Sequence, residues 1–152
     1  MKKIEKVQYT GVTHTRINHD PALQRGEHGV VDIKLSAADG KNYEFIAAEL
    51  HPTAEQLFAG AWSACWISVL NMVASMKKIA LPEDASLDLQ VNIGESGPGW
   101  FLGAKFAVRL PGMDQSVAEA LAHSAHQLCP YSQATKGNIE VITEVMTEAV
   151  AA

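Results

Sequence analysis

The chain is organised around one long apolar run, AEQLFAGAWSACWISVLNMVASM, from Ala54 to Met76. It carries no charge between Glu55 and Lys77, and it holds Cys65, one of two cysteines in 152 residues. About 20 uncharged residues are long enough to span a bilayer. Five polar residues interrupt this run: Gln56, Ser63, Ser68, Asn71 and Ser75. Because no flanking loop has a strong lysine or arginine bias either, the run is predicted to be the buried central helix of a soluble fold.

Composition limits the classes of protein that fit. A chain of 152 residues, 47% hydrophobic and 19% charged, suits one globular domain over 1–152. The net charge of −5 and the lack of a basic stripe argue against nucleic acid or an anionic membrane as a partner. The N-terminal lysines precede no apolar run, so no signal peptide is predicted. Two cysteines without a secretory signal indicate a reducing compartment, and we expect the protein to be cytoplasmic.

Alternating patterns on both sides of the central run predict strands. Strands are expected at 5–16, 31–35, 43–48, 86–94, 102–110 and 138–145, with helices at 114–128 and 131–136. A DG turn at 39–40 and the segment 94–100 would close two hairpins. The fold class is therefore α+β, with antiparallel β-sheets around a long buried helix. One domain would struggle to cover that helix on every side, which suggests a second subunit.

Local signals mark where the predicted helices begin and end. Thr53 is a plausible N-cap of the central helix, which should end near Lys77. Either Asp114 or Ser116 is expected to cap the next helix, the latter in a capping box with Glu119. Gly137 should stop the short helix that follows.

The two cysteines lie in different surroundings. Cys65 is in the middle of the central helix between Trp62 and Trp66, where a lone cysteine is most often an inert, buried thiol. Cys129 precedes Pro130 at a helix junction, where the positive end of a new turn would lower a thiol pKa. Spacing alone does not bring the two thiols together.

The second cysteine segment contains three residues of types that bind metal ions. His123, His126 and Cys129 follow one another at intervals of three residues along a predicted helix. Histidines at this spacing are common on solvated faces, and no fourth ligand is evident. No metal site is predicted.

The two cysteine segments resemble the motifs of a known family. AEQLFAGAWSAC (54–65) and HQLCPYSQATKGNIEV (126–141) are similar to the two cysteine motifs of the OsmC/Ohr family, in its organic hydroperoxide resistance branch. KVQYTGVTHT and VVDIKLS resemble the opening strands of that branch. The similarity covers nearly the whole chain.

This resemblance implies an OsmC-like intertwined homodimer and a thiol-dependent peroxidase for alkyl and lipid hydroperoxides, without a cofactor. It implies the peroxidatic role for Cys65, the resolving role for Cys129 and the motif acid at Glu55. A sulfenic acid would form on Cys65, and a disulfide with Cys129 would follow. The implied reductant is an external dithiol, for which a lipoyl group is the family's precedent.

Apolar residues around Cys65 suit such substrates. Trp62, Trp66, Phe58 and Met72 are predicted to form an apolar entrance for the hydroperoxide. The alternative for each is an ordinary core position.

The cation that a thiolate needs is harder to place. The family uses an arginine in a glycine-glycine-arginine motif after the first strand, and this chain reads RINHDPALQRG there. Arg16 is favoured, with Arg25 and His19 as alternatives. The glycine-rich stretch usual before the first cysteine motif is also replaced, by YEFIAAELHPT.

Glu55 cannot reach the thiol of its own helix directly. Ten residues separate it from Cys65, about 15 Å along a straight helix. If it orients the arginine, it is expected to do so in the partner's site.

Two further functions fit the same residues. One is a non-catalytic dimer that binds a hydrophobic ligand in the apolar pocket. The other is a redox sensor whose disulfide signals without turnover.

Overall fold

The computed structural model describes residues 4–16, 35–36, 42–43 and 54–148. The chain forms two units, residues 1–17 with 53–152, and residues 18–52. The elements in chain order are β1 (Lys6–Arg16), β2 (Leu35–Ser36), β3 (Asn42–Tyr43), α1 (Ala54–Met76), β4 (Ser86–Ser96), β5 (Gly99–Arg109), α2 (Gln115–Leu128), α3 (Pro130–Thr135) and β6 (Glu140–Met146).

The smaller unit is described only at one strand pair. Leu35 of β2 pairs with Tyr43 of β3 in antiparallel register. This pairing agrees with a hairpin between the second and third predicted strands. The predicted DG turn at 39–40 and most of both strands lie outside the described residues.

The central helix α1 spans the predicted residues, from Ala54 to Met76. It ends because Lys78 takes a positive φ of 56°, and Ile79 N–H then donates to the Ala74 carbonyl. Those are the features of a Schellman stop. The proposed N-cap, Thr53, lies outside the described residues.

Within this chain, α1 is buried along one face only. The buried residues recur at helical spacing: Ala59, Trp62, Ser63, Trp66, Ile67, Leu70, Val73 and Ala74. On the other face, Leu57 and Met72 are each about half exposed. Among the described helices, α1 alone is long and apolar enough to cross a membrane, a property it shares with core helices of globular proteins.

A four-stranded sheet with the order β1-β4-β5-β6 packs against the buried face of α1. The pairs β1–β4 and β4–β5 are antiparallel. The hairpin of β4 and β5 was predicted, whereas the first strand was expected in a meander with the second and third strands and instead pairs with β4. The pair β5–β6 is parallel, so the sheet is mixed and the prediction of a wholly antiparallel sheet was wrong for this pair. The reason is the crossover through α2 and α3, which returns the chain to the edge of the sheet in the direction of β5.

Glycine permits the close approach of β1 to α1. A Cβ at Gly11 would lie 2.6 Å from the backbone nitrogen of Gln56 and 2.8 Å from the Cβ of Glu55. No side chain fits at that distance, so β1 passes directly over the first turn of α1.

The cap of α2 is Asp114, one of the two predicted candidates. Its side chain accepts a hydrogen bond of 3.1 Å from Val117 N–H. Ser116 donates to the same carboxylate, and Glu119 accepts from Gln115. The predicted capping box of Ser116 and Glu119 is therefore absent, because the aspartate already occupies the cap.

A chain of hydrogen bonds joins α1, α3, α2 and β6. Trp62 Nε1–H donates to Ser132 Oγ at 3.0 Å, and Ser132 Oγ lies 3.2 Å from His126 Nδ1. His126 Nε2 lies 3.0 Å from Thr143 Oγ1. A neutral imidazole with its proton on Nε2 completes a chain in which each group donates to the next.

Burial keeps His126 neutral. Desolvation, with a smaller contribution from the nearby His123, lowers the pKa of His126 to about 4. Its ring packs against Phe106 and Trp66, with centroids 4.7 and 5.3 Å away. The folded state therefore resists protonation over a range where an unfolded histidine, with a pKa of about 6.5, takes up a proton.

This difference predicts a loss of stability in acid. Between pH 7 and pH 4.5 the free energy of unfolding should fall by roughly 1–2 kcal/mol through His126, after allowance for its partial exposure to solvent. Urea titrations at several pH values measure this loss. The loss should be smaller in His126→Gln, which cannot titrate.

His123→Gln is the matched control, because His123 is exposed on the same helix. It should retain most of the acid dependence of the parent, because His123 makes only the smaller contribution to the lowered pKa of His126. An identical dependence in His126→Gln and the parent would contradict the prediction.

Candidate functional site

The structure brings the two thiols together. Cys129 Sγ lies 3.7 Å from Cys65 Sγ, although 64 residues separate them in the chain. Cys129 is fully buried and Cys65 is partly buried, and the two are not joined by a disulfide in this structure. A disulfide needs a sulfur–sulfur distance of about 2.05 Å, so a small shift would allow the bond to form.

Two helices fix the position of Cys129. Its N–H donates to the Ala125 carbonyl of α2, and its own carbonyl accepts from Gln133 N–H of α3. Its backbone is extended between them, with φ −68° and ψ 121°. Pro130 begins α3 and cannot continue α2, which holds Cys129 at the junction where it faces α1.

Three of the residues predicted for the entrance form an aromatic wall in the core against which Cys65 packs. Trp62 and Trp66 are fully buried and both pack on Phe106. Phe58 packs edge-on against Trp62, with centroids 5.6 Å apart. Met72 lies apart from them, half-exposed and two helical turns beyond Cys65.

The indole of Trp66 is unusual. Within the described part of the chain, its buried Nε1–H has no hydrogen-bond partner. Leaving a buried donor unpaired costs about 1–3 kcal/mol. Trp66 adjoins Cys65, so the apolar wall beside the thiol includes one unsatisfied donor.

Glu55 lies in the first turn of α1 and is partly buried. The helix is continuous from Glu55 to Cys65, so about 15 Å of helix separates the two residues. This geometry does not bring Glu55 to the thiol of its own chain.

Of the three candidate cations, the structure describes only the backbone of Arg16. Arg16 is the last residue of β1, and its Cα pairs with Ser86 of β4. Nothing is described of its side chain, and His19 and Arg25 lie outside the described residues.

The two histidines of α2, His123 and His126, both form hydrogen bonds with neighbouring side chains. Over 4–16, 35–36, 42–43 and 54–148, no group of three metal-binding side chains is close enough to hold an ion. Both ring nitrogens of His126 already face hydroxyl groups, and His123 Nε2 contacts the Gln127 amide.

A cavity of about 590 Å³ opens on the far side of this network. Its described lining comes from α1, α2, α3, β6 and the turn before β6, without either cysteine: Trp62, His123, His126, Gln127, Ser132, Gln133, Thr135, Lys136, Gly137, Ile139, Val141 and Thr143. Of the four residues predicted to form the substrate entrance, Trp62 is among those that line this cavity.

Sequence reasoning missed Ser132 and Thr143. Ser132 lies one helical turn after Cys129, and Trp62 lies one turn before Cys65. That matching spacing becomes informative only when the two cysteines are known to meet. Thr143 gave none, because its contact depends on the parallel placement of β6.

Comparisons with known proteins find relatives over most of the chain. The family model described as OsmC-like protein matches residues 47–144. The chain is 42% identical over 148 residues to the organic hydroperoxide resistance protein of Xanthomonas axonopodis pv. citri, covering 93% of this chain and 96% of that protein.

Two solved structures resemble the fold. An organic hydroperoxide resistance protein from Elizabethkingia anophelis is 30% identical with a TM-score of 0.63, over 95% of this chain and 99% of that one. OhrB of Bacillus subtilis is 26% identical with a TM-score of 0.61, over 91% and 98%. The chain therefore belongs to the OsmC/Ohr family, in its organic hydroperoxide resistance branch.

Proposed function

We propose that this protein is a thiol-dependent peroxidase that reduces organic hydroperoxides to alcohols. The observation that carries the proposal is the 3.7 Å approach of Cys65 Sγ and Cys129 Sγ. It occurs in a chain whose relatives are named for organic hydroperoxide resistance.

The chemistry follows from the two thiols. The Cys65 thiolate attacks one peroxide oxygen, the O–O bond breaks, and the alkoxide leaves with a proton as the alcohol. Cys65 becomes a sulfenic acid. The Cys129 sulfur then attacks it, and water leaves as the disulfide forms. An external dithiol reduces the disulfide by exchange, and a lipoyl dithiol is the reductant we propose.

Cys129 is assigned the resolving role because of its burial. It is fully enclosed, whereas Cys65 is partly exposed and better placed to meet a substrate. A resolving thiol needs only to reach its partner, and 3.7 Å meets that need.

Attack requires a cation near Cys65, and we propose Arg16, with Arg25 and His19 as the alternatives. A thiol beside buried aromatic rings ionises poorly unless a positive charge is near. Glu55 would orient that cation from the other subunit, since its own helix holds it about 15 Å from Cys65.

The apolar surroundings favour alkyl and lipid hydroperoxides as substrates. The buried wall of Trp62, Trp66 and Phe58 offers little to a small polar peroxide. We propose the cytoplasm as the location, where reduced thiols persist.

The exposed face of α1 supports a homodimer. Leu57, Ala61, Ala64, Ser68 and Met72 follow one another on the exposed side of this helix. A stripe of small and apolar residues next to Cys65 suits close packing against a second copy of the chain. The homodimer would bury the face that one chain leaves open.

Substitution of the thiols tests the proposed reaction. Cys65→Ser should reduce dithiol-dependent consumption of cumene hydroperoxide at least 1,000-fold, because it removes the nucleophile. Cys129→Ser should still oxidise once per chain but turn over slowly with a dithiol. Stopped-flow mixing and peroxide assays measure both.

Ser124→Ala is a suitable control, since Ser124 bonds only within its own helix in the described structure. It should match the parent. If the Cys65→Ser protein consumed peroxide at the rate of the parent, the peroxidase proposal would be wrong. A stable disulfide without turnover would favour the redox sensor.

Mixed dimers test the role of Glu55. Chains carrying Glu55→Gln are combined with chains carrying Cys65→Ser, under different affinity tags. If Glu55 acts across the interface, the mixed dimer has one complete site and should show about half of the parent activity. A mixed dimer as weak as the Glu55→Gln homodimer would place Glu55 in its own chain's site.

A further inference from the structure

The hydrogen bond between Trp62 and Ser132 lies beside the two thiols and joins the same two parts of the fold. Trp62 lies three residues before Cys65 on α1, and Ser132 lies three residues after Cys129 on α3. The bond from Nε1 to Oγ is 3.0 Å long, and both side chains are buried. A direct bridge thus runs about one helical turn from the sulfur contact on each side.

Ser132 is itself held by further groups. Its hydroxyl faces His126 Nδ1 at 3.2 Å, and the opposite ring nitrogen faces Thr143 of β6 at 3.0 Å. With a neutral imidazole, Ser132 can accept from Trp62 and donate to His126 at the same time. Because the ring is enclosed by Phe106 and Trp66, its place is fixed.

The segment that carries Cys129 meets α1 partly through a very short helix. The helix α3 has six residues, too few to be stable by itself. The bond from Trp62 to Ser132 therefore adds a direct side-chain link between α1 and this segment, next to the contact of the two thiols.

We propose that Ser132 is a positioning residue for the thiol pair: through Trp62 and His126 it holds Cys129 against Cys65 and raises their effective concentration for disulfide formation. This inference rests on the proposed function only because that function makes the disulfide a step in the reaction. The effect is thermodynamic, because any bond that favours the close arrangement of the sulfurs also favours the bond between them.

The test is the dithiol–disulfide equilibrium in glutathione buffers. Two thiols give up two protons and two electrons to oxidised glutathione, which leaves as two reduced glutathione molecules. Ser132→Ala should lower the equilibrium constant for disulfide formation about five- to tenfold, the range expected for loss of one net hydrogen bond. Mass spectrometry after acid quenching and alkylation measures the disulfide fraction.

Two further variants distinguish a positioning role of Ser132 from a general loss of stability. Ser132→Thr restores a hydroxyl and should recover most of the parent constant. Trp62→Phe removes the Nε1–H donor and keeps an aromatic ring. It replaces Ser132→Ala as the test if the latter does not fold. In the double variant, the two effects should not add, since both substitutions remove the bond between Trp62 and Ser132.

Ser124→Ala is the matched control, because it removes a serine hydroxyl on α2 that bonds to the Ala120 carbonyl. It should leave the constant unchanged. The inference is overturned if Ser132→Ala or Trp62→Phe stays within twofold of the parent, or if their effects add fully. Because glutathione needs no peroxide, a parent that forms the disulfide yet consumes no hydroperoxide would overturn the proposed function alone.

Discussion

Burial of one face of α1 against the sheet is the constraint on which the rest of the structure depends. Trp62 and Trp66 lie on that face, and Phe106 of β5 packs against both rings. Their burial sets the rotation of the helix and so determines where Cys65 points. Full burial of each large side chain contributes about 1.5–3 kcal/mol, which makes another rotation of α1 costly.

The position of Cys129 also depends on the packing of the aromatic core. Proline at 130 ends α2, and the extended backbone of Cys129 turns its side chain toward α1. His126, held between Phe106 and Trp66, connects this junction to the aromatic core. The sulfur contact is therefore a consequence of core packing, and a change in the core would alter the chemistry of the thiols.

The sequence predicted the elements better than their arrangement. The bounds of α1 and the hairpin of β4 and β5 followed from charge-free length and alternation, which are local properties. The parallel placement of β6 could not be read locally, because it depends on the path of α2 and α3 across the sheet. The contact of Cys65 with Cys129 was implied by resemblance, and the structure supplies its distance. The bridge through Ser132 was missed because it exists only once three helices have packed.

The central claim is that peroxide oxidation joins Cys65 to Cys129 within one chain. The most direct measurement is mass spectrometry of the reduced protein after one equivalent of cumene hydroperoxide, intact and after digestion without reductant. We expect a loss of 2 Da per chain and one linked peptide pair that contains both cysteines. A gain of 16 Da that persists on Cys65, or a disulfide between two chains, would contradict it.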